Sequence, residues 1–298
     1  MEYTNLPDLD GLAALRAVVE MGGVSGAAEV LHIGQPAVTK RLRALEERVG
    51  IPLTQRLGGR LRLTPAGDKV YQFAVQTTDR LALLKEELQS LKLGRDTLRL
   101  QVSFAIGEHF LPDLMVRFSE QFPQYQVHSR LAYGRQIQTS LVTGQTELAL
   151  MENAPDHPDI LVQKWMNDEL WLVCGASHPL AGTELLPVEE LTRLNYVLRE
   201  KTSAVRESLQ EALESIGIDH LDTAFEVGST DAIIDILGRG RHVSFMPRFA
   251  VFDDVENGRL FHLKVNGFTI RRTLWIARHR SNLDHPVAEA FISLLREK

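Results

Sequence analysis

Apolar residues recur every three or four positions through the beginning of the chain, which is the period of helices that bury one face. They form three stripes: Leu9, Leu12, Leu15, Val18 and Val19; Ala27, Ala28 and Leu31; and Val38, Leu42, Leu45 and Val49. Gly22-Gly23 ends the first predicted helix, Ser25 suits the N-cap of the second, and Pro36 suits the first turn of the third. The pattern therefore predicts three short helices, with a tight turn at Ile33-Gly34 between the second and third.

The third predicted helix carries a polar face opposite its apolar stripe. Helices of this kind enter the DNA major groove, where Gln bonds adenine, Arg bonds guanine and a Thr methyl touches a thymine methyl. We expect Gln35, Thr39 and Arg43 to read bases. Lys40 and Arg41 are better placed for phosphates, which give affinity rather than sequence choice. The alternative is an ordinary solvated helix face, but the Ala-Ala helix, the tight turn and the proline start together favour DNA binding.

A short alternating segment follows this helix-turn-helix. Gly58-Gly59 suits a two-residue hairpin turn, and a period of two places Arg60 and Arg62 on one face. This segment is typical of the wing of a winged helix, whose arginines reach the DNA backbone or minor groove; a solvent-exposed hairpin is the alternative. The residues expected at DNA are Ser25, Gln35, Pro36, Thr39, Lys40, Arg41, Arg43, Arg60 and Arg62.

A long helix is predicted next, with Thr64 as its cap and Pro65 at its first position. Its apolar seam alternates spacings of four and three residues: Val70, Ala74, Thr77, Leu81, Leu84, Leu88 and Leu91. A seam of this length with polar sides favours a partner helix, and the simplest partner is a second copy of itself. We predict a homodimer through residues 65–92, which would place two recognition helices on a pseudo-palindromic double-stranded DNA site.

Beyond a polar hinge at Leu93 to Asp96, strands and helices alternate. The predicted strands are 98–104, 126–133, 147–151, 169–175, 196–199, 223–227 and 242–246, with helices over 110–121, 203–216 and 285–297. Alternation of this kind is typical of α/β domains with parallel sheets.

Composition and charge agree with a two-domain, cytoplasmic DNA-binding protein. The chain has 298 residues, 44% hydrophobic and 24% charged, and neither a membrane-spanning run nor a secretion signal is visible. The net charge is −6, yet residues 35–62 contain seven basic and two acidic side chains, a local +5 that leaves −11 elsewhere. The single cysteine, Cys174, lies in an apolar segment and is expected in the core. We find no metal-ligand spacing, cofactor motif or nucleophile-base set, and expect neither a cofactor nor an enzyme.

The chain resembles the LysR-type transcriptional regulators along its whole length. The matching segments are Val24-Ser25-Gly26-Ala27-Ala28, Leu31, Gln35-Pro36-Ala37-Val38-Thr39, Leu45-Glu46, Val49-Gly50, Leu53, Arg56 and Leu63-Thr64-Pro65-Ala66-Gly67. Gly34 and Thr54 depart from the family's usual Ser and Phe. The resemblance implies a winged helix-turn-helix over residues 1–64, a linker helix and hinge over 65–94, and a periplasmic-binding-protein-like effector domain over 95–298. Its first lobe would comprise about 95–165 and 268–298, and its second about 166–267.

Ligands of α/β lobes sit at the carboxyl ends of strands, where helices begin. Ser103, Thr202, Ser203 and Ser229 match positions where the family places effector-binding hydroxyls, although the last three have helix capping as an alternative role. Phe104 makes the pocket more apolar than is usual, and Arg135 or Lys201 would supply positive charge. The expected effector-binding residues are Ser103, Phe104, Arg135, Glu152, Lys201, Thr202, Ser203 and Ser229. They favour a small carboxylate with an apolar or aromatic part.

The predicted function is therefore transcription regulation, with DNA binding controlled by a small-molecule effector between the two lobes. The resemblance implies a homodimer or homotetramer, and RNA polymerase is a further candidate partner. Two alternatives are a solute-binding receptor with a vestigial DNA-binding head and an enzyme built on the α/β lobes; the absence of an acid-base or nucleophile set argues against the enzyme.

Overall fold

The computed structural model describes the backbone of residues 7–57, 60–93 and 96–297, and the side chains of these except 56, 57, 60, 86, 87 and 89–93. The chain divides between Leu93 and Gly94 into two units, each with a hydrophobic core of its own. None of the described helices is long and apolar enough to cross a membrane.

The amino-terminal unit is a helical bundle with a hairpin and a long helix. Its elements are α1 (Leu9–Glu20), α2 (Val24–Val30), α3 (Gln35–Val49), β1 (Thr54–Leu57), β2 (Arg60–Leu63) and α4 (Pro65–Leu93). The predicted apolar stripes form its core, since Leu15, Ala27, Val38 and Leu45 are fully buried. Gly50 ends α3 in a left-handed conformation with φ 76°, which glycine adopts without strain.

The two predicted helix caps have opposite outcomes. Thr64 is confirmed as the cap of α4, because its hydroxyl oxygen accepts the backbone N–H of Gly67 at 3.0 Å. The assignment of Ser25 as the cap of α2 is wrong. Gly23 is the N-cap, and its carbonyl already accepts the N–H of Ala27 at 3.1 Å. Ser25 lies inside the first turn, so it is not at the position from which a side chain caps the helix.

The carboxy-terminal unit is built on a nine-stranded mixed sheet. Its strands are β3 (Thr97–Val102), β4 (Gln126–Leu131), β5 (Leu148–Met151), β6 (Ile160–Gly175), β7 (Asn195–Arg199), β8 (Asp222–Val227), β9 (Val243–Pro247), β10 (Leu260–His262) and β11 (Ile270–His279). The order is β4-β3-β5-β11-β6-β9-β7-β8, with β10 beside β6. Pairing is parallel at both ends of this sheet and antiparallel around β6 and β11.

Two lobes are joined by the long strands β6 and β11. Lobe one contains β3 to β5 and the helices α5 (Phe104–His109), α6 (Leu111–Gln121), α7 (Gly134–Val142) and α11 (Pro286–Arg296). Lobe two contains β7 to β10 and the helices α8 (Ala204–Glu214), α9 (Thr230–Arg239) and α10 (Arg248–Glu256). Because β6 and β11 run through both, the lobes share a continuous pair of connecting strands.

The strand prediction was incomplete at this connection. The segment 169–175 is only the last part of β6, which begins at Ile160, and β11 was not predicted as a strand. Residues 161–164 of β6 are all exposed, so they lack the alternation of buried and exposed side chains that identifies a strand in a sequence. The first strand of lobe one is also shorter than predicted, because Phe104 begins α5 rather than ending β3.

Candidate DNA-binding surface and interlobe cavity

The predicted recognition helix, α3, separates a buried face from an exposed one. Val38 and Leu45 are fully buried in the amino-terminal core. Gln35, Lys40 and Arg43 are exposed. The helix therefore offers amide, ammonium and guanidinium donors on its solvent side, which are the groups that recognise base edges and phosphates. Pro36, at the start of α3, and Ser25 of α2 are also exposed.

Two predicted contact residues of α3 already have partners. The hydroxyl of Thr39, which is half-buried, donates to the carbonyl oxygen of Gln35 at 3.1 Å. The guanidinium of Arg41 forms an ion pair with Asp10 of α1 at 2.9 Å. A phosphate contact by Arg41 would have to share or replace Asp10, whereas Lys40 and Arg43 have no acidic partner within the described residues.

The carboxylate of Glu46 in α3 forms hydrogen bonds at the start of the β1–β2 hairpin, the predicted wing. Strands β1 and β2 pair from Thr54↔Leu63 to Leu57↔Arg60. One oxygen of Glu46 accepts the backbone N–H groups of Leu53 at 2.8 Å and Thr54 at 3.0 Å, and the Thr54 hydroxyl at 3.2 Å. The hydroxyl at position 54 thus joins a hydrogen-bond cluster. Arg62 is exposed on β2, whereas Gly58-Gly59 and the side chain of Arg60 lie outside the described residues.

The long helix α4 is packed at its beginning and exposed farther along. Ala74 is fully buried in the amino-terminal core, and Arg16 of α1 bonds the hydroxyl of Thr78 at 2.7 Å and the carboxylate of Asp79 at 2.5 Å. Three later residues of the predicted seam are exposed, at 40%, 44% and 52%: Leu81, Leu84 and Leu88. Leu91 lies outside the described side chains. The first part of the seam is therefore buried in the core of the amino-terminal unit. Leu81, Leu84 and Leu88 form an apolar strip that no other part of the described chain covers.

A cavity of about 550 Å³ lies between the two lobes of the carboxy-terminal unit. Lobe one contributes the carboxyl ends of β3, β4 and β5, and lobe two contributes the end of β7 and the beginning of α8. Seven of the eight predicted effector residues line it: Ser103, Phe104, Arg135, Glu152, Lys201, Thr202 and Ser203. The prediction from the strand carboxyl ends therefore selected residues that lie together in the structure.

Ser229 does not line this cavity. Its hydroxyl donates to Glu108 at 3.3 Å and accepts the backbone N–H of Ala232 at 3.4 Å, so it caps α9. Ser203 also caps its helix, since it accepts the N–H of Arg206 at 3.2 Å, but it remains in the cavity wall. Thr202 is exposed and is not the cap of α8.

Ser103 is a polar group of the cavity with an unmet hydrogen bond. Its side chain is only 5% exposed, and its hydroxyl has no partner within the described residues. A buried hydroxyl without a partner is unfavourable by about 1–3 kcal/mol. Phe104 stands beside it, with its ring 4.8 Å from the ring of Tyr133. The lobe-one wall therefore places one donor or acceptor beside aromatic surface.

The carboxylate of Glu152 does not present a free negative charge to the cavity, because it is buried and paired. It is 4% exposed and pairs with Nη1 of Arg272 at 2.8 Å, while Nε of the same arginine pairs with Asp168 at 2.8 Å. Burial raises the pKa of Asp168, against the lowering effect of Arg272. These three residues form a buried cluster on β11, β6 and the end of β5, where the lobes connect.

Arg199 of lobe two and Tyr133 of lobe one also line the cavity, and neither is among the eight predicted effector residues. Arg199 is 3% exposed, binds both carboxylate oxygens of Glu200 at 2.9 Å and donates to the hydroxyl of Thr230 at 3.0 Å. Burial would raise the pKa of Glu200, but the hydrogen bond from Arg199 lowers it below its ordinary value. Burial raises the pKa of Tyr133, and its hydrogen bond to Glu200 of the other lobe adds to that rise.

Other contacts also cross between the lobes. The side-chain amide of Asn153 in lobe one donates to Glu207 of α8 at 2.9 Å. Glu108 of α5 accepts the backbone N–H of Thr230 at 3.3 Å in addition to the Ser229 hydroxyl. Polar side-chain contacts therefore join the two lobes at the cavity wall, through Asn153 and Glu207, and beside α9, through Glu108.

Comparison with known proteins identifies both units. The family model "Bacterial regulatory helix-turn-helix protein, lysR family" matches residues 9–68, and "LysR substrate binding domain" matches residues 92–298. A "Probable RuBisCO transcriptional regulator" of Guillardia theta is 29% identical over 297 residues, covering 97% of this chain and 95% of that protein.

Two solved structures share the fold. Full-length CbnR in complex with its target DNA has a TM-score of 0.74 at 20% identity, covering 97% of this chain and 99% of that one. The regulatory domain of CcmR from Synechocystis PCC6803 in complex with 2-PG has a TM-score of 0.61 at 23% identity, covering 67% of this chain and 95% of that one. The chain belongs to the LysR family of transcriptional regulators, with an amino-terminal helix-turn-helix and a carboxy-terminal effector-binding domain.

Proposed function

We propose that a small carboxylate with an apolar part binds in the interlobe cavity and controls transcription through it. The observation that carries this proposal is the buried Ser103 hydroxyl, which lines the cavity and has no partner within the described residues. A carboxylate oxygen would accept its hydrogen bond. The ligand would also remove the unfavourable free energy of the unpaired hydroxyl.

The remaining wall groups suit the same ligand. Arg135 and Lys201 carry positive charge at the cavity. The guanidinium of Arg199, in contrast, is already paired with the carboxylate of Glu200. The carboxylate of Glu152 is likewise paired with Arg272. Aromatic and thioether side chains of lobe one supply apolar surface. Ligand pockets are commonly apolar with a few polar groups that orient the ligand. The CcmR regulatory domain was solved in complex with 2-PG, and we include that compound among the ligands to test.

Thermal shift of the full-length protein tests this proposal, with aliphatic and aromatic carboxylates and 2-PG as ligands at constant salt and phosphate. We expect at least one carboxylate to raise the melting temperature. Ser103→Ala should weaken its binding by about 1.5–3 kcal/mol, because a hydrogen bond to a charged group is lost. Ser119→Ala is the matched control, because Ser119 is exposed on α6 and outside the cavity. The proposal fails if no carboxylate stabilises the protein, or if the two variants bind alike.

We also infer how the amino-terminal unit acts on DNA. Gln35, Thr39 and Arg43 read base edges in the major groove, and Lys40 with Arg62 of the wing holds the backbone. The strip from Leu81 to Leu88 joins two copies of α4 into a homodimer, since a second copy would bury this apolar surface. The homotetramer and the contact with RNA polymerase, which the family resemblance implies, stay predictions.

A further inference from the structure

The effector-binding unit has a second depression, of about 470 Å³, apart from the interlobe cavity. Strand β6, strand β11 and the first residue of α10 form it. Its lining residues are Asn167, Asp168, Glu169, Arg248, Arg271, Arg272 and Thr273, and none of these lines the interlobe cavity. Three arginines and two carboxylates thus share one small depression.

Arg248 is an exposed arginine without an acidic partner within the described residues. Its guanidinium carbon lies 5.3 Å from the ring centre of Trp171 and 5.5 Å from that of Phe252. Aromatic faces hold a guanidinium by its π surface, whereas its N–H donors lie in its own plane. These rings therefore fix the cation without using its hydrogen-bond donors.

Arg272 contributes a buried donor that is also unused. Its side chain is 5% exposed, and Nε and Nη1 bind Asp168 and Glu152, each at 2.8 Å. Nη2 is buried with no partner within the described residues. An unsatisfied donor on a charged, buried group is strongly unfavourable, so an acceptor that reached it would stabilise this region.

The two carboxylates of the depression are each paired with an arginine other than Arg248. Asp168 is paired with Arg272, and Glu169 is paired with Arg271 at 3.5 Å. Arg271 is 80% exposed, so that pair is weak and leaves its guanidinium accessible. Because Arg272 is shared by Asp168 and Glu152, the depression has no excess of positive charge. Its suitability for an anion rests on the unpaired donors of Arg248, with Asn167 and Thr273 as neutral polar groups beside them.

We propose that this depression is a second ligand site, and that it binds the phosphoryl group of a small phosphate ester. Arginines from α10 and β11 approach the depression from different elements. A tetrahedral phosphoryl group has three terminal oxygens to receive donors from different directions, whereas a planar carboxylate has two oxygens in one plane. The site is linked to the interlobe cavity, because Arg272 also holds Glu152 in the wall of that cavity. It does not depend on the identity of the effector proposed above.

Isothermal titration calorimetry of the full-length protein tests the site, with inorganic phosphate, methyl phosphate and acetate as probes at matched ionic strength. We expect both phosphates to bind and acetate to bind at least tenfold more weakly. Arg248→Gln should weaken phosphate binding at least tenfold, and Arg248→Lys should fall between, because the charge remains and the forked donor geometry is lost. Arg239→Gln is the matched control, since Arg239 is 82% exposed on α9 and lines neither cavity.

Three results would overturn the proposal. The first is phosphate binding by Arg248→Gln that equals the wild type in a protein whose circular dichroism is unchanged. The second is acetate binding as tight as phosphate, which would indicate a site that does not distinguish a phosphoryl group from a carboxylate. The third is loss of phosphate binding in Ser103→Ala but not in Arg248→Gln, which would place the anion in the interlobe cavity. If no carboxylate stabilises the protein in the thermal-shift screen, the phosphate titration can still succeed. The two proposals can therefore be refuted independently of each other.

Discussion

The basic side chains of α3, the predicted recognition helix, differ in whether an acidic side chain already holds them away from a DNA contact. Arg43 and Lys40 are exposed, and Arg41 is held by Asp10 at 2.9 Å. All three are close together in the sequence, and their charge alone does not separate them. The ion pair distinguishes Arg41 from Lys40 and Arg43. A guanidinium that is already bound to a carboxylate gains less binding free energy from a phosphate than an unpaired cation does.

Replacing Arg43 by Gln should relax the sequence preference of DNA binding. If its guanidinium bonds a guanine, the loss is about 1–3 kcal/mol on the specific site and much smaller on random DNA. Lys40→Gln removes the same charge from the same helix and should weaken binding to both DNAs alike. Fluorescence anisotropy at one salt concentration measures both. Equal losses for Arg43→Gln on specific and random DNA would instead assign this residue to the phosphate backbone.

The single cysteine should be chemically inert in the folded protein. Cys174 is fully buried on β6, and burial raises the pKa of its thiol to about 11. Because the thiolate is the reactive form, a thiol reagent such as DTNB should leave it unmodified at pH 8. The same protein in guanidinium chloride should react stoichiometrically, which serves as the control. Rapid labelling of the native protein would show that β6 opens or that the thiol is accessible.

Residues whose role depends on distant partners were the ones that sequence reasoning missed. Ser103 was found because a rule about strand ends locates it. Arg199 was not among the predicted effector residues, and its partner Thr230 is far along the chain. Ser229 was predicted there but does not line the cavity, and its hydroxyl bonds Glu108 of the other lobe. His32 adopts φ 53°, the one positive φ among the described non-glycine residues, and nothing in its neighbours' identity indicates this.

Whole elements were predictable where one face is buried. The stripes of α1 to α3 and the seam at the start of α4 follow the helical period, so their positions could be found from the sequence. Strand β11 and the first half of β6 were not found, because they connect the lobes and much of the β6 segment is exposed without alternation. Their extended form depends on pairing with each other, which is a contact between distant segments.

A charge placed in the exposed strip of α4 should dissociate the homodimer. Leu84→Glu would put a carboxylate where two apolar seams meet, and burying it without a partner is strongly unfavourable. Light scattering over a range of concentrations should show a dimer for the wild type and a monomer for this variant. Ala82→Glu is the matched control, because Ala82 is exposed on α4 but lies off the seam. A dimeric Leu84→Glu protein, or equal dissociation of both variants, would contradict the interface.

The buried charges at the lobe connection should contribute strongly to stability. Arg272→Gln leaves Asp168 and Glu152 buried without their cation, a change that costs about 3–5 kcal/mol. Arg271→Gln, one residue earlier on the same strand, removes a surface pair at 3.5 Å and should cost about 0–1 kcal/mol. Urea unfolding of the full-length variants compares the two. Similar losses would mean that the buried cluster relaxes or is hydrated when its arginine is removed.

At the scale of the whole molecule, opposite charges are separated along the chain. Residues 35–62 carry a net +5 while the rest of the chain carries −11, so the segment that we propose to bind DNA is basic in a chain of net charge −6. Between the basic segment and the effector-binding unit lies α4, the element that we propose to dimerise. Each copy has one predicted recognition helix, so we expect a single chain to read only half of a pseudo-palindromic site.

Dimerisation should therefore determine the length of DNA that the protein recognises. The wild type should protect two half-sites whose centres are separated by about 34–36 Å, one helical turn, or by a multiple of it. Leu84→Glu should bind a single half-site and gain nothing from the second, because its two recognition helices are no longer joined. DNase I footprinting on the intact site and on a site with one half scrambled distinguishes the two cases. If scrambling one half leaves wild-type affinity unchanged, then one recognition helix suffices, and the exposed strip of α4 has a purpose other than pairing two DNA-binding units.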